Sequence, residues 1–131
     1  MHFDYLQHPG PYQRLQAYAQ TWTPDFIVGS SLGGLLGFWL GEALGIPSLL
    51  FNPAVFVAPA EAGINPPSQR SCPHRYVLLG AADERVDPEQ SWRFFAQPIN
   101  QAPHQRVVMQ QGLGHEIDEA TFLEAVAWAG L

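Results

Sequence analysis

The sequence predicts an α/β domain of three layers, in which a mostly parallel sheet of about five strands lies between helices. Three observations lead there. Short apolar runs alternate along the chain with stretches whose apolar residues recur at helical spacing, the order that builds parallel sheets covered on both faces. The starts of several helical stretches carry capping chemistry, and the 131 residues, 47% of them hydrophobic, suffice for one core and little more. Residues 1–131 are therefore expected to form one minimal domain.

The elements follow in order. Residues 2–7 read as a strand and 12–21 as a helix. Asp25-Phe26-Ile27-Val28-Gly29 is a short buried strand. The next stretch, 31–44, has apolar residues at 32, 35, 36, 39, 40, 43 and 44, with Gly45 where a helix C-terminal cap belongs. Gly33, Gly37 and Gly41 repeat on one face of that helix, which lets it approach the sheet or a neighbour closely at some cost in helix propensity. Ser48-Leu49-Leu50-Phe51 is a strand ending at Asn52-Pro53-Ala54. Residues 55–73 hold Pro59, Gly63, Pro66, Pro67 and Pro73 among small polar residues and read as an irregular excursion. A strand at 75–80 follows, then a helix at 88–96 that Asp87-Pro88 opens with a capping carboxylate and a proline in the first turn. A strand at 106–110 and a helix at 119–128 close the chain; Asp118 stands at the N-cap, and Ile117 and Phe122 at staple positions.

Composition excludes several classes. A formal charge of -6 with only six Lys and Arg argues against nucleic acid or an anionic membrane as partner. The uncharged stretch from Phe26 ends at Gly41, short of the ~20 apolar residues a membrane span needs, and it contains a turn. The single cysteine, Cys72, rules out an internal disulfide framework, and the N-terminus has no secretory pattern, so a cytoplasmic location is expected. No His and carboxylate pairs have metal-ligand spacing, and neither metal nor cofactor is expected.

Between the strand at 25–29 and the helix at 31–44 lies Gly29-Ser30-Ser31-Leu32-Gly33-Gly34. This is G-x-S-x-G centred on Ser31, in the strand-turn-helix context that lifts a serine clear of the backbone. Such a turn is sharp and strained, and glycines on either side remove side chains that would clash. Ser31 also precedes a helix N-terminus, whose unpaired backbone NH groups can receive charge developing on a substrate carbonyl.

Ligands in parallel sheets gather at the C-terminal strand ends, so partners of Ser31 are sought in the loops after later strands. The strand at 75–80 runs into Asp83, Glu84 and Asp87; the strand at 106–110 runs into Gly112-Leu113-Gly114-His115. The order is serine, acid, histidine. His115 is the expected base, since histidine titrates near neutrality. Asp83, soon after the strand end, is preferred as the acid over Glu84, which is expected in solvent, and over Asp87, which serves as an N-cap. His74 and His104 precede their strands, at the far end of the sheet, and His2 precedes any active-site loop. His8 follows the first strand and is kept as a pocket residue.

These segments resemble a family. Ile27-Val28-Gly29-Ser30-Ser31-Leu32-Gly33-Gly34, Phe51-Asn52-Pro53-Ala54-Val55, Gly80-Ala81-Ala82-Asp83-Glu84 and Gly112-Leu113-Gly114-His115 are similar to the motifs of the small α/β-hydrolase esterases of the YqiA type, from about residue 20 onward. The resemblance implies Ser31, Asp83 and His115 as nucleophile, acid and base, the Leu32 NH as an oxyanion donor, and the turn Asn52, Pro53 and Ala54 as lining the site. Family members begin with a strand ending in His-Gly-Phe, whose loop supplies a second oxyanion NH; this sequence has no such segment, and its fold is expected to be a truncated form.

Without that strand the edge of the serine-bearing strand lacks its neighbour. The strand at 2–7 could fill the gap, a second copy of the chain could cover it as a homodimer, or catalysis could be impaired; the first is preferred. The loop from His8 to Tyr12 would then replace the His-Gly-Phe loop, with NH donors only at His8, Gly10 and Tyr12, since proline has none. Gly10 is the expected second oxyanion donor, and His8, Tyr12, Phe56 and Val57 are expected near the substrate. The function so implied is a serine hydrolase of a small carboxylic ester or thioester. A catalytically impaired binding or oligomerisation module and an acyltransferase using the same residues are the alternatives.

Overall fold

The computed structural model describes residues 10–71 and 73–131. Four strands, β1 (Ile27–Ser30), β2 (Ser48–Phe51), β3 (Arg75–Gly80) and β4 (Gln105–Gln110), form a wholly parallel sheet in the order β1-β2-β3-β4. The register runs Ile27 to Ser48, Ser48 to Arg75 and Arg75 to Gln105. The helices are α1 (Pro11–Trp22), α2 (Leu32–Leu44), α3 (Pro88–Ala96) and α4 (Glu119–Trp128), with short 3₁₀ turns at Pro59–Ala62 and Pro98–Asn100. The expected α/β architecture is thus present. Four strands are found among the described residues, and the fifth, expected at 2–7, lies outside them.

Alternation along the strands splits the core in two. Leu50, Val77 and Leu79 face one way, against Tyr12 of α1, Leu35, Leu36 and Phe38 of α2, and Phe95 of α3. Leu49, Phe51 and Leu78 face the other way, against Ala125 of α4 and the neighbouring Ala129. Among the described residues, three helices therefore cover one face and one helix the other. β2 is buried at all four positions, as expected of a strand covered on both faces. β1, at the end of the sheet, alternates between partly buried and exposed residues, with Val28 47% exposed.

The glycine face of α2 packs as expected. A Cβ at Gly37 would come within 2.9 Å of Ile27 Cγ2 and 3.3 Å of Leu50 Cδ2, so the helix lies closer to the sheet than any larger residue would allow. The caps agree in one case and differ in another. Asp87 Oδ1 accepts the Glu89 NH at 3.0 Å, whereas Asp118 occupies its N-cap position without a side-chain capping bond and contributes only its carbonyl, to Phe122 NH. At the sheet end opposite Ser31, Arg75 is buried with Glu42, at 2.8 Å, and its guanidinium lies 4.4 Å from the centroid of the Phe38 ring.

Candidate active site

Ser31 links β1 to α2 with φ 57° and ψ -121°, a region that L-residues with side chains rarely occupy. Such a conformation costs on the order of 1–3 kcal/mol and persists only where surrounding contacts enforce it. Those contacts are specific. The Ser31 NH donates to Phe51 O at 3.0 Å, and its carbonyl accepts from Leu35 NH at 3.1 Å and Ala54 NH at 2.9 Å. Gly29 lies so close to the Gly33 carbonyl that a Cβ there could not be accommodated. The strained elbow expected from G-x-S-x-G is present, and Leu32 is the first residue of α2, where backbone NH groups lack helical acceptors.

The acid and the histidine meet. His115 Nδ1 lies 2.9 Å from Asp83 Oδ2, while Asp83 Oδ1 accepts the NH groups of Arg85, at 2.8 Å, and Val86, at 3.0 Å. Burial pushes the Asp83 carboxyl upward, but the Val86 NH, the His115 ring and the Arg85 NH together outweigh it and hold the carboxyl below its ordinary value. Of the three acidic candidates, Asp83 is the one beside His115. Asp87 caps α3, and Glu84 is exposed. A carboxylate on Nδ1 leaves the other ring nitrogen, Nε2, to act as acceptor in the neutral imidazole. Gly29, Ser30 and His115 line a single cavity of about 420 Å³, together with Val28, Phe51 and Ile117. The loop after β4 is thereby brought to the elbow strand.

Several expected site residues are placed differently. Tyr12 is 1% exposed, packed in the core with Leu35 and Ile64 rather than lining an open pocket, and burial pushes its hydroxyl pKa upward. Asn52, Pro53 and Ala54 are all buried. They form a turn hydrogen-bonded to the elbow, with Asn52 at φ 42°. The Asn52 amide is spent on backbone: Nδ2 donates to the carbonyls of Gly114 (3.0 Å) and His115 (3.1 Å), and Oδ1 accepts the Gly80 NH at 2.7 Å. That web was missed in the sequence. Phe56 is 52% exposed, and Val57 is packed against the core. Gly10 is the N-cap of α1 at φ 75°, and His8 lies outside the described residues. His74 and His104 are exposed at the opposite end of the sheet, as expected, with ring centroids 4.3 Å apart.

A parallel sheet whose first strand turns through a strained serine into a helix, with an acid and a histidine in the loops after the third and fourth strands, is the α/β-hydrolase fold in shortened form. Within it, residues 12–64 match the model of an uncharacterised protein family, UPF0227, that of the YqiA-type proteins, in agreement with the motif resemblance. Solved structures share the fold. An esterase, PE8, superposes with a TM-score of 0.69 at 22% identity, over 90% of this chain and 58% of that one. A monoacylglycerol lipase from Paleococcus ferrophilus gives 0.65 at 16% identity, over 91% and 72%. An alpha-beta serine hydrolase homologue from Coxiella burnetii gives 0.67 at 19%, over 98% and 60%. The chain thus spans about three fifths of the length of the first and last of these. No curated protein matches the sequence.

Proposed function

We propose that this protein is a serine hydrolase that cleaves a small carboxylic ester or thioester through an acyl-enzyme intermediate. The reading is carried by the His115–Asp83 pair, with His115 lining one cavity together with Gly29 and Ser30 of β1, the strand that runs into the strained Ser31. The Ser31 hydroxyl attacks the substrate carbonyl carbon while His115 Nε2 takes its proton. The carbonyl oxygen becomes an oxyanion, received by the Leu32 NH, with the Gly10 loop as the source of a second donor. Collapse of the tetrahedral species breaks the ester or thioester bond, and the leaving alcohol or thiol takes the proton from His115. Water, deprotonated by the same imidazole, then releases the acid. Asp83 holds the ring in one tautomer and stabilises the imidazolium. The fold shared with proteins described as an esterase and a monoacylglycerol lipase supports the same chemistry.

Treatment with a fluorophosphonate is the direct test. A covalent adduct on Ser31, absent in Ser31→Ala, is expected; folded wild-type protein that takes up no probe would overturn the proposal. One observation favours a second reading, an impaired hydrolase-like module that binds or self-associates: β1 ends the sheet among the described strands, and Val28 is half exposed. Unlabelled protein that sediments as a dimer is the outcome that reading requires. Adding competing alcohols to an active preparation separates a hydrolase from an acyltransferase, which would pass the acyl group preferentially to the alcohol.

A further inference from the structure

We propose that Asn52 is the positioning residue for His115, and that the turn at 51–54 sets the register between Ser31 and His115. The inference rests on the reading of these two residues as nucleophile and base.

The turn touches both. On one side, Phe51 O accepts the Ser31 NH and Ala54 NH donates to Ser31 O. On the other, the Asn52 amide takes the carbonyls of Gly114 and His115. Four consecutive residues therefore bridge chain segments more than eighty residues apart. The Asn52 NH adds a bond to Leu78 O at 3.0 Å, and its Oδ1 holds the Gly80 NH, so the same residue is tied to the end of β3 just before the loop of Asp83.

The chemistry selects an asparagine. The site needs one acceptor toward Gly80 and two donors toward the histidine loop, on a buried side chain, at a backbone φ of 42°. An amide supplies both kinds of group, and Asn tolerates the left-handed region better than most residues. An ionised Asp offers only acceptors and would set negative charge against two carbonyl oxygens. The loop lies tight against Gly80, where a Cβ would collide with the Leu113 and Gly114 carbonyls, while Gly112 and Gly114 bring no side chains to anchor it. Leu113 O is bound by the Ala82 NH, but the next two carbonyls are bound by Asn52. Fixing the His115 carbonyl fixes the Cα from which its ring reaches Asp83. A displacement of about 1 Å at a reacting group can cost on the order of 10²-fold in rate.

Asn52→Asp preserves volume, the tolerance of positive φ and the acceptor for Gly80 NH while removing both donors. Asn52→Gly removes the whole side chain and relaxes the backbone, and stands in should the first variant fail to fold. For each, thermal unfolding reports the fold, and fluorophosphonate inactivation is resolved into its maximal rate and its half-saturating concentration. The His115 imidazole NH signal is read by NMR. The expected result is folded protein whose maximal rate falls about 10²-fold, with half-saturation within about twofold of wild type, and a His115 signal that is shifted or lost. A folded variant with an unchanged maximal rate and an unmoved His115 signal would overturn the proposal. If wild-type protein is not labelled, or His115→Ala labels at the wild-type rate, the reading of the triad fails instead. The NMR signal then decides the positioning role alone: moved in the Asn52 variants, it upholds the role; unmoved, it rejects it.

Discussion

Arg75 and Glu42 form an ion pair at 2.8 Å with both side chains almost wholly withdrawn from water. Gln105 Oε1 and Asn100 O take further guanidinium donors, and Arg70 adds a second cation 3.4 Å from the same carboxylate. Such a pair is costly to desolvate, and breaking it leaves an uncompensated buried charge.

Arg75→Met alone is therefore expected to destabilise the protein by about 3–5 kcal/mol. Arg75→Met combined with Glu42→Leu should cost less, because the wholly buried charge goes with its partner and only the partly exposed Arg70 loses a carboxylate. Urea unfolding of the two variants and the wild type measures the difference, and fluorophosphonate labelling of the folded fraction should be unchanged in both, since the pair lies at the far end of the sheet from Ser31.

Ser31 offers the opposite experiment. Its φ of 57° and ψ of -121° form the mirror image of an extended conformation, which glycine adopts freely. Ser31→Gly should therefore be more stable than Ser31→Ala by about 1–3 kcal/mol, the strain attributed to such a residue. Neither variant should react with the probe. A Ser31→Gly variant clearly less stable than Ser31→Ala would mean that the turn is not strained, since glycine's freer unfolded chain alone would then decide the comparison.

Asp83→Asn should leave the Arg85 and Val86 NH groups with an oxygen acceptor but deprive His115 Nδ1 of its carboxylate. By the logic of histidine orientation, the rate of acylation should fall about 10⁴-fold while the protein stays folded. Stopped-flow measurement of probe uptake, with circular dichroism as the check on folding, tests this.

The same carboxylate predicts a pH dependence of stability. The folded state holds the Asp83 pKa below its unfolded value, so folding favours the ionised form. Its contribution is complete above the unfolded-state value of about 4 and is lost as pH falls through the lower folded value. The stability advantage of wild type over Asp83→Asn should hence shrink as the pH is taken below about 4, as read from urea unfolding at stepped pH values.

Much of this was legible because it is written locally. Asp87-Pro88 announces the start of α3 within two residues, the apolar spacing after Ser31 outlines α2, and the glycines around Ser31 announce a turn that only small residues permit. The candidate triad followed from the order of loops in a parallel sheet. What escaped was written at long range. Nothing near Asn52 reveals that its amide reaches carbonyls 62 and 63 residues away. Tyr12 is hidden in the sequence for a different reason. It shares a helical face with Leu15 and Ala19, but α1 is polar enough elsewhere that this narrow face was not read as core. At Asp118, sequence could identify the N-cap position but not the direction of the carboxylate.

Among the described strands, spatial order is the same as chain order, and each of β2, β3 and β4 pairs with the one before it. A chain leaving the ribosome could add strands in succession, with most pairings made soon after synthesis, a topology that lowers the cost of closing loops. The serine would come first and the histidine last. Until β4 docks and its loop meets Asn52, an early folding chain would hold the Ser31 turn without His115 brought to the same end of the sheet.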